Sequence, residues 1–372
     1  MSKPSDYYLS DEENAAIFER LIRPAEFGPL FSGSDSAAAN GPRLDAEFSA
    51  SSRPVCILLA GQTGAGKSHT APVLAAALRE SPASGLPLCH LVADTHKPYH
   101  PAYAGLVAAA ATGQGPPGLA SAATGHDARR WLTRACAVAA ERRCDVLVES
   151  ASRFPQDVAQ MARTFRRAGY RVCLVMMAVH VAQSRLGLLA RYLDADPQKE
   201  LESEQQVDGG KPSLGRRLTP RKIHDESYAG LAQLAVWLDS GEGGRDRDGD
   251  SEDDGPLADA VIILRRGNKV VYANYWGENC GEATQKPSWR ISPPHIGQTL
   301  AAERQRCDVP AEAALFASDV ARLSALHPGR EAELSLLASV YLPADARKTR
   351  DEDNNEMADV NVALIVRKCR DW

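Results

Sequence analysis

The hydrophobic pattern of this chain alternates between short apolar runs and longer segments in which apolar residues recur at helical spacing. Short continuous apolar runs are typical of strands buried on both faces, and the helical spacing is typical of amphipathic helices. The predicted strands are residues 55–60, 86–93, 145–148 and 171–177. The predicted helices are residues 71–79, 127–143, 157–168, 181–192 and 219–238. This alternation predicts an α/β fold with a parallel sheet that is covered by helices on both faces.

The pattern also divides the chain into three parts. Residues 1–50 contain a helix, which begins at the capping box Ser10-x-x-Glu13, and then a flexible connector. Residues 51–276 form the core domain, and residues 277–372 form a C-terminal extension that is predicted to be helical at 311–326 and 331–341. Within the core domain we predict a loop at 111–125, a mobile stretch at 197–213, an acidic linker at 239–256, and two short strands at 261–264 and 269–272.

Composition narrows the classes of function. The chain has 372 residues, of which 44% are apolar and 24% are charged, and these values are typical of a globular protein with a sizeable core. A net charge of −5 argues against a nucleic-acid-binding protein, which would present a basic surface. No apolar run is long enough to span a membrane, and eight cysteines without a C-x-x-C pair indicate reduced core thiols. We therefore expect a cytoplasmic protein with no nucleic-acid partner and no membrane partner.

The first strand leads directly into a match to the phosphate-binding motif G-x-x-x-x-G-K-[ST]. Its glycines let backbone N–H groups close around phosphate oxygens, and the helix that follows adds the positive end of its dipole. Lys67 is expected to reach the β- and γ-phosphates, and the Ser68 hydroxyl is expected to ligate Mg²⁺. We therefore expect a nucleoside triphosphate to bind here. The predicted nucleotide-binding residues are Gly61, Gln62, Thr63, Gly64, Ala65, Gly66, Lys67, Ser68 and His69.

Two acidic residues end predicted strands and are candidates for chemistry beside this loop. Ligands of open α/β sheets bind at the carboxyl ends of the strands, and Asp94 and Glu149 both fall there. Asp94 is placed to accept a proton from a hydroxyl acceptor, or alternatively to cap a helix. Glu149 is placed to contact Mg²⁺ through water or to orient a substrate, or alternatively to make a structural hydrogen bond.

Three arginines could complete such a site. Arg153 follows Glu149 closely, and Arg191 and Arg217 flank the mobile stretch, where a lid could bring guanidinium groups onto transferring phosphates. The alternative for each of them is a solvated surface position. The remaining candidates, His96 and His100, lack a third ligand at metal spacing, and we interpret them as loop-shaping or substrate-contacting residues.

In their order along the chain, these segments resemble the zeta-toxin (PezT-like) kinase family. The stretch from Asp94 through His100 to Tyr103 is similar to the family's Asp-x-Phe-Arg…His-Pro-x-Tyr signature, and Glu149 to Arg153 is similar to its Glu-Gly-Thr-Leu-Arg segment. Residues 189–192 and 217–225 are similar to its two later arginine motifs. The resemblance covers about residues 50–275 and implies a P-loop kinase-type fold.

The family resemblance also implies a function. It implies a Mg-ATP-dependent kinase that transfers the γ-phosphate to a hydroxyl of a sugar nucleotide, which in the family's bacterial toxins is UDP-N-acetylglucosamine. Asp94 would be the general base, and Lys67, Arg191 and Arg217 would hold the phosphates. Glu149, Arg153, Ser152 and His100 would serve the acceptor, with Glu149 also a possible metal contact through water. An antitoxin-like protein partner is implied as well.

Two departures from the family pattern bear on the acceptor. His96 stands where the family usually has Phe, and Ser150-Ala151 replaces Gly-Thr, which removes a hydroxyl that would contact the acceptor. The alternative functions are therefore a kinase of another nucleotide acceptor, such as NAD or a nucleoside, or an NTPase switch that binds a partner.

Overall fold

The computed structural model describes residues 3–31, 53–80, 86–116, 118–194, 219–241, 256–277, 288–342 and Val362. Its seven strands are β1 (Val55–Ala60), β2 (Leu88–Val92), β3 (Asp145–Ser150), β4 (Arg171–Met177), β5 (Ala260–Leu264), β6 (Val270–Gly277) and β7 (Ser288–Trp289). They form one sheet in the order β2-β3-β1-β4-β5-β6-β7. The first five strands in this order are parallel, and β6 and β7 continue the sheet as antiparallel strands.

Helices cover both faces of this sheet. They are α1 (Asp11–Ile17), α2 (Arg23–Phe31), α3 (Lys67–Arg79), α4 (Ala93–His96), α5 (Tyr103–Ala111), α6 (Leu119–Glu141), α7 (Pro155–Arg167), α8 (Val181–Leu193), α9 (Arg221–Ser240), α10 (Ile296–Gln305), α11 (Pro310–Leu326) and α12 (Glu331–Tyr341). A π-helical turn, Phe18–Ile22, joins α1 to α2. The predicted α/β fold with a helical C-terminal extension is confirmed. None of the helices in the described parts of the chain is long and apolar enough to cross a membrane.

The core lies on both faces of β1. Cys56 and Leu58 point to one face, where they join a cluster with residues of α6, α7 and α9, and Ile57 and Leu59 point to the other face, where they meet α3. Every residue of β1 is therefore buried, which explains why the strand is a continuous apolar run rather than an alternating one.

One predicted loop was wrong. Residues 111–125 were expected to be irregular, but α5 extends to Ala111 and α6 begins at Leu119. The Gly-Pro interruption is confined to the few residues between the helices, and Gly118 at the start of α6 has a φ of 85°. The alanine-rich residues that follow, among them Ala120 and Ala123, are buried, so burial and helix propensity extend the helix up to the interruption.

The two terminal parts pack onto the core domain at different places. The N-terminal helices lie on α6, where Asn14 Nδ2 donates to Asp127 Oδ1 at 3.0 Å and Trp131 Nε1 donates to the Asn14 carbonyl at 2.8 Å. In the extension, Phe316 and Tyr341 from α11 and α12 pack against apolar residues of α8. The division into residues 1–50, 51–276 and 277–372 stays a prediction. The stretch 197–213 and most of the linker 239–256 lie outside the described residues.

Candidate active site

The phosphate loop lies between the carboxyl end of β1 and the first residue of α3. Its start is fixed to β3, because the Gly61 N–H donates to the Ser150 carbonyl at 3.1 Å. Gly64 has a φ of 79°, and a Cβ there would lie 2.0 Å from the Ser184 carbonyl oxygen, so only glycine fits. Gly66 also has a positive φ, of 98°, and it caps the N-terminus of α3, where the helix dipole favours anions.

Lys67 is the first residue of α3, and its side chain folds back over the loop. Its ammonium group donates to the carbonyls of Gly61 at 2.7 Å and Gln62 at 3.3 Å. Burial is the main cause that lowers the pKa of Lys67 to about 8; Glu149 and Asp94 act in the opposite direction, and Arg191 lowers it further. These electrostatic effects mean that Glu149, Asp94 and Arg191 all surround the lysine.

Glu149 reaches this site through the strand register. It pairs with Leu59 of β1 on one side and with Val92 of β2 on the other, so it lies at the carboxyl ends of three adjacent parallel strands. Its Oε1 is 2.9 Å from Nε2 of His90, a partner that the sequence pattern did not indicate. The side chain of Glu149 is 12% exposed, and the carboxylate is therefore partly shielded from solvent.

Asp94 lies two residues beyond the end of β2, in the short helix α4. Its Oδ1 is 2.7 Å from the ammonium group of Lys97, which also donates to the Ser121 hydroxyl at 2.6 Å. The side chain of Asp94 is 43% exposed, whereas that of Lys97 is 10% exposed. The lysine thus fixes the orientation of an accessible carboxylate, and this carboxylate lies close enough to Lys67 to affect its pKa.

The oxygen groups here fit the chemistry of Mg²⁺. Ser68 is exposed at the start of α3, beside Lys67, and Glu149 lies close enough to Lys67 to affect its pKa. Hydroxyl and carboxylate oxygens are ligands that this hard cation accepts, usually together with waters and substrate phosphates. Among the described residues there is no group of three or more His, Cys, Asp or Glu that could hold a metal by itself.

Arg153 follows the carboxyl end of β3 closely and is partly exposed. Its Nε donates to Glu226 Oε2 of α9 at 2.5 Å, and its guanidinium lies 4.9 Å from the centre of the Phe154 ring. Arg129 of α6 lies 4.8 Å from the same ring centre, so two guanidinium groups flank one phenyl ring. Burial lowers the pKa of Arg129, Asp157 opposes this effect, and the charge of Arg153 adds to it.

These arginines adjoin Asp94 through Lys97. A Cβ at Gly125 would lie 3.9 Å from Nη1 of Arg129 and 4.0 Å from Cε of Lys97, so the two cationic side chains both lie near this glycine. Lys97, Arg129 and Arg153 thus form a basic group that adjoins Asp94 through Lys97. Sequence spacing did not reveal Arg129, because it is one of several arginines on α6.

Four other predicted site residues are His100, Ser152, His69 and Arg217. His100 is buried, and its Nε2 is 3.1 Å from the Tyr7 carbonyl and 3.5 Å from Asp127, so it joins the N-terminal segment to the core domain. Ser152 is also buried, with a φ of 54° and a hydroxyl that has no hydrogen-bond partner among the described residues. His69 is exposed on α3. Arg217 lies outside the described residues.

The back of the phosphate loop is held by residues that the sequence analysis did not single out. Arg266, in the turn between β5 and β6, donates to the carbonyls of Gly64 and Gln183, each at 2.9 Å. Arg304, from α10 of the extension, donates to Oε1 of Gln62 at 2.9 Å. No local motif marks either arginine, because each reaches the loop only through the folded topology.

Comparison with known proteins identifies the family. The sequence model of the zeta toxin family matches residues 43–241, which is more than half of the chain. The chain belongs to the zeta toxin family. The resemblance read from the motifs is thereby confirmed, and the phosphate loop, Asp94, Glu149, Arg153, Arg191 and Arg217 all lie within the zeta toxin region. The extension that carries Arg304 lies outside it. A search of curated proteins found no match.

One solved structure supports the same fold. A chain of the PezAT chromosomal toxin–antitoxin system of Streptococcus pneumoniae superimposes with a TM-score of 0.51 at 16% identity, over 86% of this chain and 98% of that chain. At this identity the likeness concerns the fold alone. Two further structures match with lower scores, which support no conclusion about this chain. They are the AvrRxo1-ORF1:AvrRxo1-ORF2 complex with ATP (TM-score 0.39, 13% identity, 91% and 87% covered) and a putative kinase from Chloroflexus aurantiacus (TM-score 0.28, 18% identity, 49% and 78% covered).

The lowered pKa of Lys67 leads to a prediction about pH. An anionic ligand favours the ammonium form, so the pKa of Lys67 is higher in a triphosphate complex than its value of about 8 in the free protein. Affinity for a nucleoside triphosphate should therefore fall as pH rises above about 8, by up to about tenfold for each pH unit between the two pKa values.

Calorimetric titrations between about pH 7 and pH 9.5 measure this effect, and Lys67→Arg is the control because arginine stays protonated throughout. If the arginine variant lost affinity with the same pH profile, a group other than Lys67 would be responsible.

Proposed function

We propose that this protein is a Mg-ATP-dependent kinase that transfers the γ-phosphate to a hydroxyl of a sugar nucleotide of the UDP-N-acetylglucosamine type. The observation that carries the proposal is the convergence of the phosphate loop, Glu149 and Asp94 at the carboxyl ends of three adjacent parallel strands. Phosphoryl transfer needs a phosphate cradle, charge neutralisation and a positioned acceptor, and little covalent chemistry from the protein. This edge of the sheet offers groups suited to each need.

The donor half consists of the loop and the cations around it. In this proposal, backbone N–H groups of residues 61–68 bind the β- and γ-phosphates, and the Lys67 ammonium leaves the Gly61 and Gln62 carbonyls to contact them. Arg191, and Arg217 from the later arginine motif, neutralise charge on the transferred group. Ser68 and Glu149 would hold Mg²⁺, which supplies charge neutralisation on the phosphate oxygens when it is bound.

Asp94 is the proposed general base for the acceptor hydroxyl. Its ion pair with Lys97 orients the carboxylate, and a carboxylate oxygen is a group that can accept a proton from a hydroxyl. A strong base is unnecessary, because the transition state of phosphoryl transfer is loose and the nucleophile needs alignment more than activation. The proton therefore moves from the attacking hydroxyl to the Asp94 carboxylate as the bond from this oxygen to the γ-phosphorus forms, the bond between the γ-phosphorus and the β–γ bridging oxygen breaks, and ADP leaves.

The acceptor half contains the basic group of Lys97, Arg129 and Arg153. The charge of Arg153 helps to lower the pKa of Arg129, with which it shares the Phe154 ring, and a bound anion would offset that repulsion. The diphosphate of a sugar nucleotide is an anion of this kind, and it would leave the sugar hydroxyl beside Asp94. The proposed acceptor contacts of Glu149, Ser152 and His100 remain predictions for this chain.

The proposal also includes a protein partner and a cellular location. Membership of the zeta toxin family, and the likeness to a chain of a toxin–antitoxin system, support an antitoxin-like protein partner. We propose a cytoplasmic location as well.

Two alternative functions are a kinase that acts on NAD or a nucleoside and an NTPase switch that binds a partner. An NTPase switch would need no base for an acceptor hydroxyl, so the effect of substituting Asp94 distinguishes it from a kinase.

We expect Asp94→Asn to abolish phosphate transfer and to leave ATP affinity within about threefold of the wild type, since the base contacts the acceptor and not the donor. The measurement is incubation with ATP and a panel of sugar nucleotides, nucleosides and NAD, with mass spectrometry to find the compound that gains one phosphate.

The control for this experiment is Asp319→Asn, which removes an exposed carboxylate of α11 that pairs only with Arg322 among the ion pairs of the described residues. Full transfer by the Asp94 variant would exclude Asp94 as the base. Hydrolysis of ATP with no phosphorylated product in the whole panel would favour the switch.

A second experiment addresses the acceptor anion. We expect Arg129→Met to raise the KM for a diphosphate-containing acceptor at least about tenfold with little change in the KM for ATP, because one charge-assisted contact is lost. Arg142→Met is the matched control, since Arg142 also lies over an aromatic ring, that of Phe31, but at the C-terminal end of α6 and not in its middle as Arg129 does. Equal effects of the two substitutions would show that Arg129 has no specific role in binding the acceptor.

A further inference from the structure

The C-terminal extension contributes one buried arginine to the back of the phosphate loop. Arg304 lies in the last turn of α10, and only 2% of its surface is exposed. Its position is outside the region that matches the zeta toxin family, which ends at residue 241. The side chain therefore links a part of the chain with no assigned role to the loop that is proposed to hold ATP.

Arg304 makes three contacts, and each restricts its guanidinium. Nη2 donates to Oε1 of Gln62 at 2.9 Å, and Nη1 donates to the Tyr228 carbonyl at 2.9 Å. The guanidinium carbon lies 3.9 Å from the centre of the Tyr228 ring, which is a stacked cation–π contact. The arginine is thus held by α9 and directed at a single side chain of the loop.

This buried charge has no carboxylate partner among the described residues. Burial lowers the pKa of Arg304 to about 10, and the only opposing effect comes from Tyr228. A buried cation paired only with neutral groups is unfavourable, because the protein interior solvates charge less well than water does. An anion bound in the loop above would offset part of that cost, so the arrangement favours the phosphate-bound form.

Gln62 connects Arg304 to the part of the loop that contains Lys67. Its side-chain nitrogen donates to the Val179 carbonyl at 2.8 Å and to the Ser184 hydroxyl at 3.3 Å, and Arg304 holds the side-chain oxygen. The backbone carbonyl of the same residue accepts from the Ala65 N–H at 3.1 Å and from the Lys67 ammonium at 3.3 Å. By holding the side chain of Gln62, Arg304 therefore also restrains the turn of the loop and the position of the Lys67 ammonium group.

We propose that Arg304 is a positioning residue for nucleotide binding, through which the C-terminal extension holds Gln62 and keeps the phosphate loop in its binding shape. This inference rests on the proposed function only in taking ATP as the ligand of the loop. It assigns the extension a role in donor affinity and none in the chemical step.

The test compares ATP affinity, measured by calorimetry with Mg²⁺ and the full chain, between the wild type and Arg304→Met. The expected result is a Kd for ATP that is about tenfold higher, the loss typical of one hydrogen bond to a charged group, with kcat at saturating ATP changed less than about threefold. Arg304→Lys keeps the charge but not the fork of donors, and it should recover only part of the affinity.

Two further variants separate positioning from a merely structural role. Arg322→Met is the matched control, because Arg322 joins the extension to α8 through the exposed Asp194 and does not contact the loop. Its ATP affinity should equal that of the wild type. Gln62→Met removes the same contact from the loop side, so it should weaken ATP binding even if Arg304→Met fails to fold. Combining both substitutions should add little to either alone.

The outcomes distinguish this proposal from the kinase proposal. Unchanged ATP affinity in folded Arg304→Met or in Gln62→Met overturns the role of Arg304, and a lowered melting temperature with unchanged affinity does so as well. A wild-type protein that binds ATP but phosphorylates no acceptor overturns the kinase proposal and leaves this one standing. A wild-type protein that does not bind ATP overturns both.

Discussion

Parallel pairing of β1, β2 and β3 is the constraint on which the rest of the site depends. Because Glu149 is in register with Leu59 on one side and Val92 on the other, the three strands end at the same edge of the sheet. The phosphate loop and Asp94 follow two of those ends directly. A shift of one residue in the β1–β3 pairing would turn Glu149 to the opposite face relative to β1 and separate it from Lys67.

The conformation of the phosphate loop depends on residues packed against its buried side as well as on its own sequence. Gly64 is pressed against the Ser184 carbonyl, Arg266 holds the Gly64 carbonyl, and Arg304 holds the side chain of Gln62. Burial lowers the pKa of both arginines, but arginine stays protonated at neutral pH, so the buried side of the loop carries positive charge as well as the side where Lys67 lies. Such a loop favours an anion before any substrate contact is made.

The sequence was sufficient for the parallel part of the sheet, for the phosphate loop and for the location of Glu149 and Asp94 beside strand ends, but it did not indicate β7 or the antiparallel edge. Continuous apolar strands and the motif around Lys67 are local signals that can be recognised in the sequence. The carboxyl ends of parallel strands lie at one edge of a sheet, so residues that follow those ends can be placed near each other. The sequence was insufficient for contacts between distant segments. Arg129, Arg266 and Arg304 are ordinary arginines in the linear pattern, and only the packing of α6, the β5–β6 turn and α10 brings them to the site. The error at residues 111–125 also comes from tertiary packing. Several residues in the first turns of α6 are buried, and this burial lets the helix begin directly after the Gly-Pro segment.

The central claim is that one edge of the sheet holds donor and acceptor in line. A crystal structure with Mg²⁺, a non-hydrolysable ATP analogue and UDP-N-acetylglucosamine tests it most directly. The account predicts a sugar hydroxyl within about 3 Å of an Asp94 carboxylate oxygen and about 3.5 Å of the γ-phosphorus, with the triphosphate in residues 61–68. A complex in which the nucleotide occupies the loop but the acceptor lies away from Asp94, with no hydroxyl facing the γ-phosphate, would contradict the account.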